Sequence, residues 1–254
     1  MLLKLIKGSF QILYSNQNNS QFMRFYFSII TLFFFFSAFA QEEVVEKKVL
    51  DSLYREDQFY LNFTYNSLKN LSGINQNKFS SGFCIGFLRD MPINKNRTIA
   101  IATGLGYSLN IYNDNLYQNR LEVAGKTENT YEILSSDIYY DKNKTSLHYL
   151  DLPIEFRWRS STPDSHRFWR IYTGFKLSYL IGDRYKFVND VQTKVYKSNT
   201  DLNKFQYGCY MAAGWNTWNF YAYYGLSPIY KSAKINGEDI KMTTFNLGLQ
   251  FYIL

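Results

Sequence analysis

Residues 79–110 read FSSGFCIGFLRDMPINKNRTIAIATGLGYSLN. Phe79, Ser81, Phe83, Ile85 and Phe87 fall on one face of an extended chain, and Ser80, Gly82, Cys84 and Gly86 fall on the other. After a break, Ile99, Ile101, Leu105, Tyr107 and Leu109 alternate with Ala100, Ala102, Gly104, Gly106 and Ser108. A period of two marks strands with unlike faces. One face is large and apolar, and the other is small or polar. Arg89 is the first charge to interrupt the apolar face. Strands that are greasy outside and lean inside suit a transmembrane β-barrel.

The same unit recurs along the chain. Asp57–Asn66 forms a first strand, with Phe59, Leu61, Phe63 and Tyr65 on the apolar face. The opening stretch supplies the second and third. Leu147–Arg159 is the fourth, with Leu150, Leu152, Ile154, Phe156 and Trp158 outward and Tyr149, Asp151, Glu155 and Arg157 inward. Phe168–Ile181, Lys204–Asn216, Phe220–Tyr230 and Met242–Leu254 complete the set. The seventh is aromatic on both faces, so its phase is open. Eight such segments, most of them as long as a tilted membrane strand, predict an all-β, eight-stranded, antiparallel up-and-down transmembrane barrel.

Connections alternate in length. Residues 67–78, 111–146, 182–203 and 231–241 are the longer ones, and 90–97, 160–167 and 217–219 the shorter. Outer-membrane barrels place short turns in the periplasm and long loops outside. Trp158, Trp169, Trp215 and Trp218 all lie beside the short turns, as an aromatic girdle at the periplasmic interface would. A soluble lipocalin-like barrel would need the opposite facing, with the glycine-rich, charge-bearing face exposed and the large aromatics packed into a narrow interior.

Composition agrees. The chain has 254 residues, 19% of them aromatic, and only four prolines. No linker divides it. Met23-Arg24 opens a basic region, Ile29–Phe36 is a short apolar run, and Ala38-Phe39-Ala40 fits a cleavage pattern before Gln41. Residues 23–40 are therefore expected to be a signal peptide, with 1–22 a possible non-native upstream extension. Residues 41–56 form a charged periplasmic lead-in, and 57–254 form the barrel. Three of the 28 basic residues precede the cleavage point, so the net charge of +7 falls to +4 on the mature chain. That scattered charge on an exported chain does not point to nucleic acid. Cys84 faces inward and Cys209 outward, which disfavours a disulfide. Two Cys and two His at unrelated spacings make no metal site.

Asp151, Glu155, Arg157, Arg170 and Lys176 share the inward face of two neighbouring strands. Buried charges require partners, so they are expected to form a salt-bridged plug; a polar path or an anionic-ligand site is the alternative. Catalysis has little to work with. His166 lies in a short turn, and His148 points outward near Ser146. A lipid A-modifying enzyme is therefore the least favoured reading, and no cofactor or small-molecule substrate is expected. Residues 111–146 form either a partner-docking surface or a solvated loop, in which Tyr131–Leu134 and Asp137–Tyr140 could extend strands.

Four segments carry a resemblance to a known family: Tyr54–Tyr60, Phe79–Asn94, Gly104–Tyr107 and Tyr149–Arg157. Together the chain resembles the PorT family, outer-membrane barrels of the type IX secretion system of the Bacteroidetes and their gliding relatives. The resemblance covers about residues 50–254, and Arg89–Asn94 is its most discriminating piece. It implies a non-enzymatic role in protein export, with contacts to outer-membrane lipid and to other secretion proteins. Arg89, Asp90, Pro92 and Asn94, in what reads as a periplasmic turn, are the candidate partner contacts. A general outer-membrane barrel serving as adhesin, receptor or envelope structural protein is the alternative.

Overall fold

The computed structural model describes residues 57–69, 73–76, 78–123, 126–160 and 169–253. The expected signal peptide, upstream extension and lead-in, along with His166, lie outside the described residues. Thirteen strands run in chain order: β1 (Gln58–Lys69), β2 (Ser81–Pro92), β3 (Ile99–Asn113), β4 (Leu116–Val123), β5 (Lys126–Ile133), β6 (Lys142–Arg159), β7 (Trp169–Val188), β8 (Thr193–Lys197), β9 (Phe205–Trp215), β10 (Trp218–Gly225), β11 (Lys234–Ile235), β12 (Glu238–Asp239) and β13 (Thr243–Ile253).

Eight of them close a barrel. The antiparallel order is β1-β2-β3-β6-β7-β9-β10-β13, and β13 pairs back onto β1. Closure removes both sheet edges, so every strand finds backbone partners on both sides, as a hydrocarbon environment requires. The register fixes the facing. Phe63 sits opposite both Phe83 and Leu249, while Asn62 sits opposite both Cys84 and Gln250. Phe63 is exposed to the surround, and Asn62, Cys84 and Gln250 are buried. In β10, whose phase the sequence left open, Phe220 is 78% exposed and its neighbour Tyr221 is 5% exposed. Its outward set is therefore Trp218, Phe220 and Tyr224, and its inward set Asn219, Tyr221 and Tyr223.

The interior is filled, and by more than the charged residues. Tyr60, Tyr172, Tyr210, Tyr221, Tyr223 and Tyr252 are all buried in the lumen. Glycines make their room: a Cβ on Gly86 would come within 2.5 Å of the Tyr60 ring, and one on Gly106 within 2.2 Å of its hydroxyl. Pairing a tyrosine with glycines across the barrel explains why one face of β2 and β3 is so small. Two cavities inside the barrel measure about 10 Å³ each, room for about one water apiece.

Strand ends differ from the sequence reading, most of all where strands run further. β2 continues through Arg89–Pro92, which reads as a turn, leaving residues 93–98 as the connection. β6 begins at Lys142 and β7 runs to Val188, so both rise beyond the apolar belt. Within residues 111–146, β4 and β5 form a hairpin; Asp137–Tyr140 extends no strand. β10 ends at Gly225, short of Tyr230.

On the outer side these extensions carry a folded cap. Tyr112, Leu116, Tyr131, Leu147, Tyr149 and Tyr230 belong to one buried cluster that joins β3–β6 to the 229–242 connection. The Tyr112 hydroxyl donates to Thr244 Oγ1 at 3.1 Å, linking β3 to β13 across the mouth. Asn115 pins the hairpin base: its Oδ1 accepts the Asn75 N–H at 2.8 Å, and its Nδ2 donates to the carbonyls of Gly73 and Leu134.

Candidate functional site

Charge is concentrated inside the barrel. The inward phase of β6 carries Asp151, Glu155, Arg157 and Arg159 in steps of two or four, all of them buried. Arg170 and Lys176 face them from β7. The structure brings the five predicted residues to one lumen, arranged as two groups, and adds two that the sequence reading left out.

The first group lies toward the short-turn end. Asp90 Oδ1 accepts Arg157 Nη1 at 3.0 Å, and its Oδ2 accepts Arg159 Nη2 at 2.9 Å. Arg157 Nε donates to Glu155 Oε2 at 2.8 Å. The other Glu155 oxygen accepts the hydroxyls of Tyr210 and Tyr252 at 3.0 and 3.1 Å. The Arg157 guanidinium lies 4.8 Å from the Tyr172 ring centroid, and Arg170 lies 5.5 Å from that of Tyr252. Charge, hydrogen bonds and ring faces together satisfy what burial would otherwise penalise.

The second group lies further along. Lys176 Nζ sits 3.3 Å from Asp151 Oδ2 and 4.5 Å from the Tyr223 ring centroid. Asp151 Oδ1 accepts the Ser178 hydroxyl at 2.6 Å. Cys84 Sγ is 3.7 Å from Asp151 Oδ2. Cys84 is buried, Cys209 is exposed, and both are free thiols.

Asp90 is the main correction. It was expected to stand in an exposed turn as a partner contact. It occupies the inward phase of β2, fully buried, with its carboxylate between two guanidiniums. Arg89 does face outward and is exposed. Pro92 closes β2 opposite Ala100. Asn94 builds the turn: its Oδ1 accepts the Ile99 N–H at 3.0 Å and its Nδ2 donates to Thr98 Oγ1 at 2.8 Å.

Trp158, Trp169, Trp215 and Trp218 are all exposed at the short-turn end. Trp215 lies opposite both Trp169 and Trp218 in the ladder, and the Trp169 and Trp215 rings are 5.3 Å apart. His148 is half-buried on the outward face, with Nδ1 2.6 Å from the Tyr107 hydroxyl. Among the described residues, no cluster of His, Cys, Asp and Glu could hold a metal ion.

The cap contributes an outer cleft that the sequence reading missed. It has a volume of about 580 Å³, and Asn129, Tyr131, Asp201, Ser232 and Lys234 are among its lining residues. Asp201 organises it, accepting from Asn129 Nδ2 and the Tyr131 hydroxyl at 3.0 Å and from Ser232 Oγ at 2.9 Å. Only the excess of Asn, Asp and Tyr in the long connections hinted at it. At the hairpin base, burial pushes the Asp114 carboxyl up to about 7, although it accepts the Leu116 N–H.

A closed barrel with an apolar belt, a short-turn rim bearing tryptophans and a cap on long connections defines an integral outer-membrane barrel. The model of the outer membrane protein beta-barrel domain family matches residues 39–231, and the chain belongs to that family. The protein accordingly resides in the outer membrane. No curated protein matches it. Among solved structures it is similar to Ail, the attachment invasion locus protein of Yersinia pestis. The structure of Ail in complex with the heparin analogue sucrose octasulfate is 13% identical, covering 78% of this chain and 99% of that one at a TM-score of 0.37. A second Ail structure is 12% identical, covering 78% and 97% at a TM-score of 0.36. At those scores the likeness carries nothing about binding or role.

Proposed function

We propose that this barrel is a non-conducting, non-enzymatic component of the outer membrane that works through protein contacts, and that its process is cargo export by a type IX secretion system. The observation that carries the first half is the filled lumen. Six buried tyrosines and the Asp90–Arg157–Glu155 network occupy the space a pore would need. With the interior committed to packing, the surfaces left for function are the short-turn rim and the cap. The second half rests on the resemblance to the PorT family, carried by Phe79–Asn94 and Tyr149–Arg157. Arg89 is the exposed member of that stretch and the contact residue we assign to the periplasmic side.

Deleting the gene and analysing the secreted proteins tests the role. Loss of exported cargo, restored by the wild-type gene and not by an Arg89→Glu variant that still assembles, is the expected result. Normal export in the deletion strain would reject it. The cleft around Asp201 favours a second reading, a surface-binding barrel of adhesin or receptor type. In that case export stays normal, and Asp201→Ala changes what the cell surface binds.

A further inference from the structure

Beyond the belt, the outward faces of β6, β7 and β8 turn basic. On β6 the lipid-facing series Trp158, Phe156, Ile154, Leu152 and Leu150 gives way to His148, Ser146, Lys144 and Lys142. On β7 it passes Ile181 and reaches Arg184 and Lys186. The register sets these residues side by side. Lys144 pairs with Lys186, Ser146 with Arg184, and Arg184 with Lys197 of β8. Lys142, Arg184 and Lys197 are exposed, and Lys144 and Lys186 are partly so.

Folding alone does not account for this. Like charges directly opposite each other destabilise a sheet, and here two such pairs adjoin. Among the described residues, no acid shares this outward face. Asp183 turns inward and accepts the Asn199 N–H. Asp141 and Asp190 flank the far tip, where Asp141 Oδ1 accepts the Tyr139 hydroxyl.

The level of the patch identifies what lies against it. Ser146 is four residues past Leu150, about 13 Å along the strand at ~3.3 Å per residue. With a tilt of about 40°, Arg184 stands roughly 10 Å above the hydrocarbon edge, and its side chain reaches back toward the headgroup layer. The rim with long connections faces outward from the cell, so that layer is the outer leaflet. The cations span three strands, about 10 Å at ~4.8 Å spacing. A headgroup with several anionic groups fits that width better than a single phosphate.

We infer that Lys144, Arg184, Lys186 and Lys197 form a binding site for the phosphate groups of a phosphorylated outer-leaflet glycolipid of the lipid A type. Lysine supplies point charges there, and Arg184 a fork suited to phosphate oxygens. The site depends on the outer-membrane location and not on the export role.

The test uses the full chain, purified in detergent and titrated separately with bisphosphorylated lipid A, dephosphorylated lipid A and phosphatidylglycerol, with the bound lipid counted by native mass spectrometry. Bisphosphorylated lipid A should bind most tightly, and its affinity should fall as salt rises. The Lys144→Gln/Arg184→Gln/Lys186→Gln variant, with folding checked by heat-modifiable gel migration, should bind it about a hundredfold more weakly. Equal affinity of the wild type for the phosphorylated and dephosphorylated forms would overturn the inference even if the variant failed to fold. Phosphatidylglycerol binding as tightly as lipid A would overturn the glycolipid assignment. A folded variant retaining wild-type affinity would overturn the residue assignment.

Discussion

Asp90 holds the lumen plug together, and its replacement by alanine is the sharpest perturbation of the fold. The carboxylate accepts from Arg157 at 3.0 Å and from Arg159 at 2.9 Å, with all three side chains fully buried. Each lost charge-assisted hydrogen bond is worth about 1.5–3 kcal/mol. Arg157 keeps Glu155 at 2.8 Å, so it is only partly stranded. Arg159 keeps the Arg97 carbonyl at 3.0 Å but loses the Asp90 carboxylate. A buried pair broken from one side costs about 3–5 kcal/mol, and Asp90→Ala falls in that range. Asp90→Asn retains one acceptor oxygen and should cost about half as much. Urea unfolding of the barrel refolded into lipid vesicles measures both. An alanine variant within about 1 kcal/mol of wild type, the scale of an exposed ion pair, would refute the assignment of Asp90 to the plug. An export defect in that variant would then report a direct contact at the turn.

Gly106 gives a steric counterpart. Gly106→Val would drive a side chain into the Tyr60 hydroxyl, 2.2 Å from the Cβ position, and should abolish the heat-modifiable folded band; pairing it with Tyr60→Ala should restore part of that band. Asp114 gives a pH dependence. Its carboxyl titrates at about 7 in the folded cap against an ordinary value of 3.8. Between those values the folded form holds the extra proton, so its stabilisation of the cap is complete below about 4 and is lost as pH rises through about 7. Amides of β4 and β5, corrected for intrinsic rates, should be better protected from exchange at pH 5 than at pH 8, and Asp114→Asn should erase the difference.

How much of this was legible depends on where lipid imposes order. Within the belt, hydrocarbon on one side and a crowded lumen on the other force a period of two. The facing of Phe63, Ile85, Leu152 and Trp215 follows directly from it. Outside the belt that constraint lapses. β4 and β5 carry polar residues on both faces, so their hairpin reads as loop. The end of β7 was hidden by a register shift at His148/Tyr149. Outward residues are odd-numbered through Ile181 and even-numbered at Arg184 and Lys186, so in sequence the alternation reads as ending where it changes phase.

The plug was half visible. Asp151, Glu155, Arg157, Arg170 and Lys176 share a phase that sequence alone displays. Asp90 carries the same phase, two residues past the buried Leu88, and Arg159 stands two past Arg157. A charge followed by Pro92 and Asn94 imitates the onset of a turn, because a lumen ion and a loop ion look alike in one dimension. Tyr60, Tyr172, Tyr210 and Tyr252 follow the inward phase of their strands, but the volume they fill depends on which residues meet across the barrel, such as Tyr60 over Gly86 and Gly106.

The sealed lumen is the claim on which the proposed role rests, and conductance across a planar bilayer tests it most directly. The refolded wild-type barrel should insert, as judged by protease protection, and give no discrete current steps. Steady ion-conducting steps from the wild type would show a wet pore through the Asp90–Arg157–Glu155 network and contradict it.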